Sequence, residues 1–176
     1  MKSRKAAIGA LAAVLTAPIL GVAGGAAVQA TDAAPVAYEV TFTNTTSGQY
    51  MTPPNWTAHD RSVDVFQRGK AASPGVEAVA ELGQVPVLAD ELRTAVDDAG
   101  LGVSGVGADA PVSPGESVSF TFETNESKFS LVSMVICTND AFGGIDSAWL
   151  PTRGPATYNV WAVSYTHLTL PTTPYV

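Results

Sequence analysis

A mainly β domain with one or two short helices is the fold class that the sequence predicts, and three observations carry it. Apolar and polar residues alternate with period two in three separated stretches, beginning at Tyr38, Val118 and Tyr158. A more continuously apolar run, Phe129 to Ile136, has the character of a strand buried on both faces. Between these stretches, segments starting at Ser73 and Pro86 place their apolar residues at three- and four-residue spacing, the mark of short helices. Charged residues make up only 14% of the chain. Average usage is about a quarter, and low charge with abundant Val, Ala, Thr, Ser and Gly suits an exported β-rich domain.

The elements follow in order. Lys2, Arg4 and Lys5 precede an uncharged run from Ala6 to Val22, and Val28-Gln29-Ala30 supplies small residues for a cleavage site. This is the layout of a secretory signal peptide over residues 1–30, with a mature start expected near Thr31. An uncleaved anchor is the alternative, but Pro18 and the Ala and Gly content weaken it, and no later segment can span a membrane. Residues 31–36 form a short linker, and residues 37–162 are enough for one core. Tyr38-Glu39-Val40-Thr41-Phe42-Thr43-Asn44 opens the domain as a half-buried strand, and Thr45 to Gly48 turns. Met51 to Trp56 carries Pro53 and Pro54 and is expected to stay out of any central ladder. Ser73 caps a helix with Pro74 at its first position, Val76, Val79, Ala80 and Leu82 give it one apolar stripe, and Gly83 ends it. Leu88, Leu92, Ala95 and Val96 form a second stripe that Gly100 stops. Leu101 to Val106 is a short strand, Pro111 to Gly115 a loop, and Val118, Phe120 and Phe122 mark a strand with one dry face. Tyr158, Val160 and Ala162 give the last strand.

Charge and cysteine content bound the function. All sixteen acids lie after the leader, which holds three of the nine Lys and Arg, so the exported chain is more acidic than the net charge of −7 suggests. Such a surface repels nucleic acid and anionic lipid, and it suits divalent cations. The single cysteine, Cys137, excludes an internal disulfide, and its place at the end of an apolar strand predicts a packed thiol.

Chemistry has few places to sit. The loop after the central strand carries Thr138, Asn139, Asp140, Gly143-Gly144 and Asp146. Calcium takes six to eight oxygen ligands, and this loop offers carboxylate, amide and carbonyl oxygens, although its spacing is not that of an EF-hand. Acids that simply stay hydrated on a surface loop are the alternative. His59-Asp60 with Ser62 invites a hydrolase reading, but neighbours in one loop rarely face each other, and no Gly-x-Ser-x-Gly elbow is present. A zinc site would have only Cys137 and His59. Gly100 to Gly107 has no lysine and opens no helix, so it is not a phosphate loop. Sequons begin at Asn44, Asn55 and Asn125, but the Ala/Gly/Val-rich leader has a bacterial character, where they are coincidental. Val163-Ser164-Tyr165-Thr166-His167-Leu168 is the peptide that a common transposase sequencing adapter encodes in one frame. Residues 163–176 are therefore expected to be a non-native tail, and His167 is recruited to no site.

Two ordered stretches carry a family resemblance. His59 to Gly83, with a histidine, Gly69, Ala72-Ser73-x-Gly75-Val76 and Val79-Ala80-Glu81-Leu82-Gly83, and Ser130 to Ser147, a strand followed by an acidic loop, together resemble the spondin domain. The resemblance runs from about Tyr38 to Ala162. It implies an antiparallel β-sandwich similar to a C2 domain, a strand at Ser62 to Phe66, and a structural hydrogen bond for His59. It also implies Ca2+ at the mouth of the sandwich with Asp140 as a ligand, and a cap or turn bond within the loop for Asp146. The family's partner ligands lie in an Asp-Ala-Gly-Thr-Asp or Asp-Ala-Gly-Thr-Glu segment after the last strand, where Val163-Ser164-Tyr165 stands here, so the domain is expected to be truncated at that end. Animal members carry further cysteines that this chain lacks. The function implied is a secreted, calcium-binding module for extracellular binding or adhesion, without catalysis and with an unknown protein or glycan partner. A metal-dependent envelope hydrolase and a structural surface protein without a metal are the rivals.

Overall fold

The computed structural model describes residues 7–14, 34–67, 69–138, 140–161 and 163–164. In chain order the elements are β1 (Ala7–Val14), β2 (Val36–Thr43), β3 (Asn55–His59), α1 (Pro74–Leu82), α2 (Val85–Leu92) with a π-helical turn over Arg93–Asp97, β4 (Gly102–Val106), β5 (Ser117–Thr124), β6 (Lys128–Met134), β7 (Ala141–Trp149), β8 (Ala156–Trp161) and β9 (Val163–Ser164). They form a β-sandwich of two antiparallel sheets, ordered β5-β2-β1-β8 and β4-β3-β6-β7-β9.

The inner faces meet as the alternation predicts. Tyr38, Val40 and Phe42 of β2 and Phe122 of β5 point inward onto Trp56 and Ala58 of β3, Phe129 and Leu131 of β6, and Ile145 of β7. Phe122 is the hub: its ring stacks on Trp56 at 4.7 Å, on Tyr38 at 5.6 Å and on Phe129 at 5.7 Å between centroids. Burying each such ring contributes about 1.5–3 kcal/mol from area alone.

A second core lies on the other face of the five-stranded sheet. Val76, Val79 and Ala80 of α1 and Leu88 and Leu92 of α2 pack on Val132 and Met134 of β6 and Phe142 of β7. Strand β6 is therefore dry on both sides, which explains why its sequence shows no alternation. The helices keep the bounds expected. Ser73 Oγ accepts from Val76 N at 3.3 Å, Pro74 sits in the first turn, and Gly83 closes α1 in the left-handed region with φ 64°. Gly75 has a different reason: its N–H donates to Glu91 Oε2 at 2.6 Å, and a Cβ there would meet the same oxygen at 2.7 Å. A carboxylate from α2 thus sits on the positive end of α1.

Two expectations fail here. Ser62 to Phe66 is turn and bend rather than strand. The strand lies earlier, at β3, which pairs with β4 on one side and β6 on the other, so Trp56 does enter a central ladder. Pro53 and Pro54 end just before it and remove no ladder hydrogen bond. Its outer-face residues are polar but anchored: Asn55 Nδ2 donates to Val85 O at 3.1 Å and Thr57 Oγ1 to Val103 O at 3.0 Å. At the far end, Gly102 has φ 152°, and a Cβ there would lie 2.1 Å from Ala58 O, so no other residue fits.

The N-terminal stretch read as leader contributes β1, between β2 and β8. The cleavage site at Val28-Gln29-Ala30, Ala162, and residues 165–176 with His167 lie outside the described residues.

Candidate functional site

Asp140 ends the turn that joins β6 to β7. Val135 N donates to Ala141 O at 2.8 Å to close that turn, and Thr138 Oγ1 donates to Val135 O at 2.6 Å inside it. Two non-glycine residues there, Cys137 with φ 66° and Asp140 with φ 59°, adopt the left-handed region. Aspartate tolerates that conformation better than most residues, and the turn leaves its carboxylate half-buried at the rim of the sheet.

Glu81 of α1 comes to the same rim. Loss of hydration first, then the Glu77 carboxylate, then that of Asp140, raise the Glu81 carboxyl above the ordinary range. Glu81 also lies in the last turn of α1, where the helix presents its negative end and no basic residue offsets it. Glu77, Asp140 and the helix end thus add negative potential at Glu81, with no basic residue in the last turn of α1. The sequence reading missed Glu81 because it named only loop acids. Its signal was present: an acid one turn beyond Glu77, at a helix end where a lysine or arginine is favoured.

The chain leaving β8 passes this point as well. Val163 and Ser164 pair with Phe142 and Ala141, so the segment in which the resemblance expects further carboxylates runs beside the residue following Asp140. Among the described residues no three His, Cys, Asp or Glu side chains converge closely enough to hold a metal ion. Two carboxylates and the turn carbonyls suit a hard divalent cation in kind, but fall short of the six to eight oxygens calcium takes.

Asp146 does something else. It lies within β7 rather than in a loop, six residues along the chain from Asp140. Its Oδ1 accepts from Val65 N at 3.1 Å and from Ser130 Oγ at 3.3 Å, fastening the 60–67 segment to the sheet. Ser130 Oγ is also 2.8 Å from His59 Nε2 and accepts from Ser147 N at 2.9 Å. His59 Nδ1 lies 2.8 Å from Asp60 O, which can only accept, so that nitrogen carries a proton. Serine, histidine and aspartate are therefore in contact, but the carboxylate touches the serine instead of the outer imidazole nitrogen. His59 and Ser130 are also shut away from solvent, at 0% and 1% exposure. The cluster is a buried polar fastening, placed where the β6–β7 ladder slips register between Phe129 and Leu131. Ser62 is not on His59; its N–H donates to Asp60 Oδ1 at 2.8 Å. Gly144, within the supposed acidic loop, is also a packing residue: a Cβ there would lie 2.9 Å from Leu131 O and from the Phe66 ring.

Cys137 is exposed, against the expectation of a packed thiol, because β6 ends at Met134 and the turn carries Cys137 beyond the core. A cleft bordered by Phe66, Gln67, Lys70, Ala72, Val76 and Phe142 contains neither carboxylate nor imidazole. At the opposite end of β7, half-exposed Trp149 has Lys128 Nζ 3.7 Å and the Arg61 guanidinium 4.7 Å from its ring centroid.

Comparison with known proteins agrees with this architecture. The family model described as Spondin_N, the spondin N-terminal domain, matches residues 38–159, and the chain belongs to that family. No curated protein matches the chain. Among the described residues no helix is long and apolar enough to cross a membrane.

Proposed function

We propose that this protein is a secreted, calcium-binding β-sandwich module for binding or adhesion at the cell envelope or outside it, without catalysis. The observation that supports the reading is that Asp140 lies near enough to Glu81, in the last turn of α1, to help raise its carboxyl, after lost hydration and Glu77, with no basic residue in that turn. A divalent cation there relieves the repulsion between the two carboxylates, and hard oxygen donors select calcium over softer metals. With the Asp-Ala-Gly-Thr-Asp segment of the spondin resemblance placed after β8, the remaining ligands would come from there, since Val163 and Ser164 run beside Ala141 and carry no carboxylate. The chain as written, ending in Val163 to Val176, therefore binds calcium weakly or not at all. Asp140 would be a direct ligand, Glu81 a second, and Asp146 the anchor of the 60–67 segment.

Replacing Val163 to Val176 with a spondin-type Asp-Ala-Gly-Thr-Asp segment and melting the protein in millimolar calcium and in chelator tests the reading. A calcium-dependent rise in Tm that Asp140→Ala abolishes supports it. Turnover of esters or glycosides that Asp140→Ala also abolishes would instead favour a metal-dependent hydrolase.

A further inference from the structure

The end of β7 far from Asp140 gathers positive charge on an acidic molecule. Lys128 opens β6 and faces Trp149, the last residue of β7, directly across the ladder; on its other side it faces His59, from which the chain leads into Arg61. Residues opposite each other share a face of the sheet, so ammonium and indole are neighbours by register. Lys128 Nζ lies 3.7 Å and the Arg61 guanidinium 4.7 Å from the ring centroid. Of the nine Lys and Arg in a chain of net charge −7, two thus meet on one ring. The ring face attracts each cation but carries no net charge to balance them. No ion pair among the described residues does so either, since both belong to Arg93. Hydrogen bonds from Ser62 hold the nearby Asp60 carboxyl below the ordinary range, and the charge of Arg61 is the last contributor.

The group is held in place. Lys128 Nζ donates to Ser147 O at 2.9 Å. Ser147 adopts φ 52°, uncommon for a non-glycine residue, where the β6–β7 ladder slips register, and its N–H donates to Ser130 Oγ. The buried cluster of Ser130, His59 and Asp146 therefore fixes the bulge whose carbonyl holds the lysine, and a fixed lysine loses less freedom on binding. Tyr158 Oη donates to Trp149 O at 2.8 Å, steadying the backbone beneath the indole, whose side chain stays 53% exposed as part of its residue. An anion with hydroxyls and C–H groups fits such a site. Its carboxylate reaches the guanidinium fork and a free ammonium donor together. Its C–H groups pack on the indole, and a hydroxyl accepts from the indole N–H. A uronic acid carries all three. The acidic surface around the patch disfavours an anionic membrane. Trp149 also stands apart from other exposed apolar residues, since Tyr50 and Val106 lie toward the opposite ends of β6 and β3, which leaves peptide side chains little to dock on. We infer that Trp149, Lys128 and Arg61 form a binding site for an acidic polysaccharide, the two cations gripping a uronate carboxylate and the indole packing on the sugar ring. The site lies roughly 25 Å along β7 from the turn that holds Asp140. It rests on the reading of this protein as a binding module and not on calcium.

Calorimetric titration of the full chain with polygalacturonate, in chelator and at low salt, tests it. The protein should bind the polymer, and bind its fully methyl-esterified form, the same sugar without the charge, at least about tenfold more weakly. Trp149→Ala should weaken binding about tenfold, and Lys128→Gln and Arg61→Gln several-fold each. Arg93→Gln, which removes a cation already paired elsewhere, should leave it unchanged. If Trp149→Ala does not fold, the two glutamine variants decide. Polyglutamate bound as tightly as polygalacturonate would make the occupant an acidic peptide, and binding to phosphatidylglycerol vesicles alone would make it a lipid surface. Either result overturns the inference, as does an absence of binding or binding that the three variants leave intact. The calcium shift is read without polymer, so it stands or falls separately.

Discussion

At the residue scale, the acids on this surface play opposite parts. Hydrogen bonds from Ser62 hold the Asp60 carboxyl below the ordinary range, whereas lost hydration, Glu77 and Asp140 hold that of Glu81 above it. A carboxyl raised in the folded state binds its proton more tightly folded than unfolded, so it favours folding at low pH and opposes it as pH rises through the carboxylate range. Asp60 has the reverse sign. The difference between wild type and Glu81→Gln, measured by thermal melts from acid to neutral pH in chelator, isolates the Glu81 contribution. The variant should gain on the wild type as pH rises, and an unchanging gap would show that the Glu81 carboxyl is not raised in the folded state. Calcium should reverse the order at neutral pH only where an Asp-Ala-Gly-Thr-Asp segment replaces Val163 to Val176, because there the variant loses a ligand. Ser130→Ala should cost about 1–3 kcal/mol in denaturant unfolding, since it strips partners from His59 Nε2 and Ser147 N inside the sheet. A cost below about 0.5 kcal/mol would mean that the Ser130, His59 and Asp146 cluster fastens nothing. The structural hydrogen bond expected for His59 is present, but its partner Ser130 was not legible because the two meet only across the packed sheet, whereas Glu81 did carry a local signal in its place at a helix end one turn beyond Glu77.

At the element scale, the sequence was most legible where local chemistry decides the structure. Ser73, Pro74 and Gly83 bound α1 because a cap hydroxyl, a fixed φ and a left-handed residue act within one turn. Ser73→Ala should therefore cost about 1 kcal/mol. Leu88→Ala, which empties part of the core between the helices and the five-stranded sheet, should cost about 2–5 kcal/mol. Equal losses on urea unfolding would contradict this division between cap and core. Strand β3 was illegible because both of its faces are covered, so Asn55, Thr57 and His59 are buried polar residues anchored by distant partners rather than a solvent face. Two prolines just ahead of it completed the disguise. The 62–66 segment was misread in the other direction. Val65 and Phe66 are apolar and pack on the helical layer, but Asp146 and Phe142 hold them as a turn and not as a ladder.

At the scale of the whole molecule, the sandwich was legible because alternation in β2 and β5 and continuity in β6 describe an outer and an inner strand. The place of β1 was not, since an Ala-rich run after three cations carries the marks of a leader whatever it pairs with afterwards. The most direct measurement is the melting temperature, with and without calcium, of a version in which a spondin-type Asp-Ala-Gly-Thr-Asp segment replaces Val163 to Val176, beside its Asp140→Ala variant and the chain as written. At a calcium concentration about a hundred times Kd, the version with the segment should gain roughly 2.7 kcal/mol, a shift of several degrees. Its Asp140→Ala variant and the chain as written should not move. An unchanged melting temperature for the version with the segment, or a calcium shift that survives Asp140→Ala, would contradict the account.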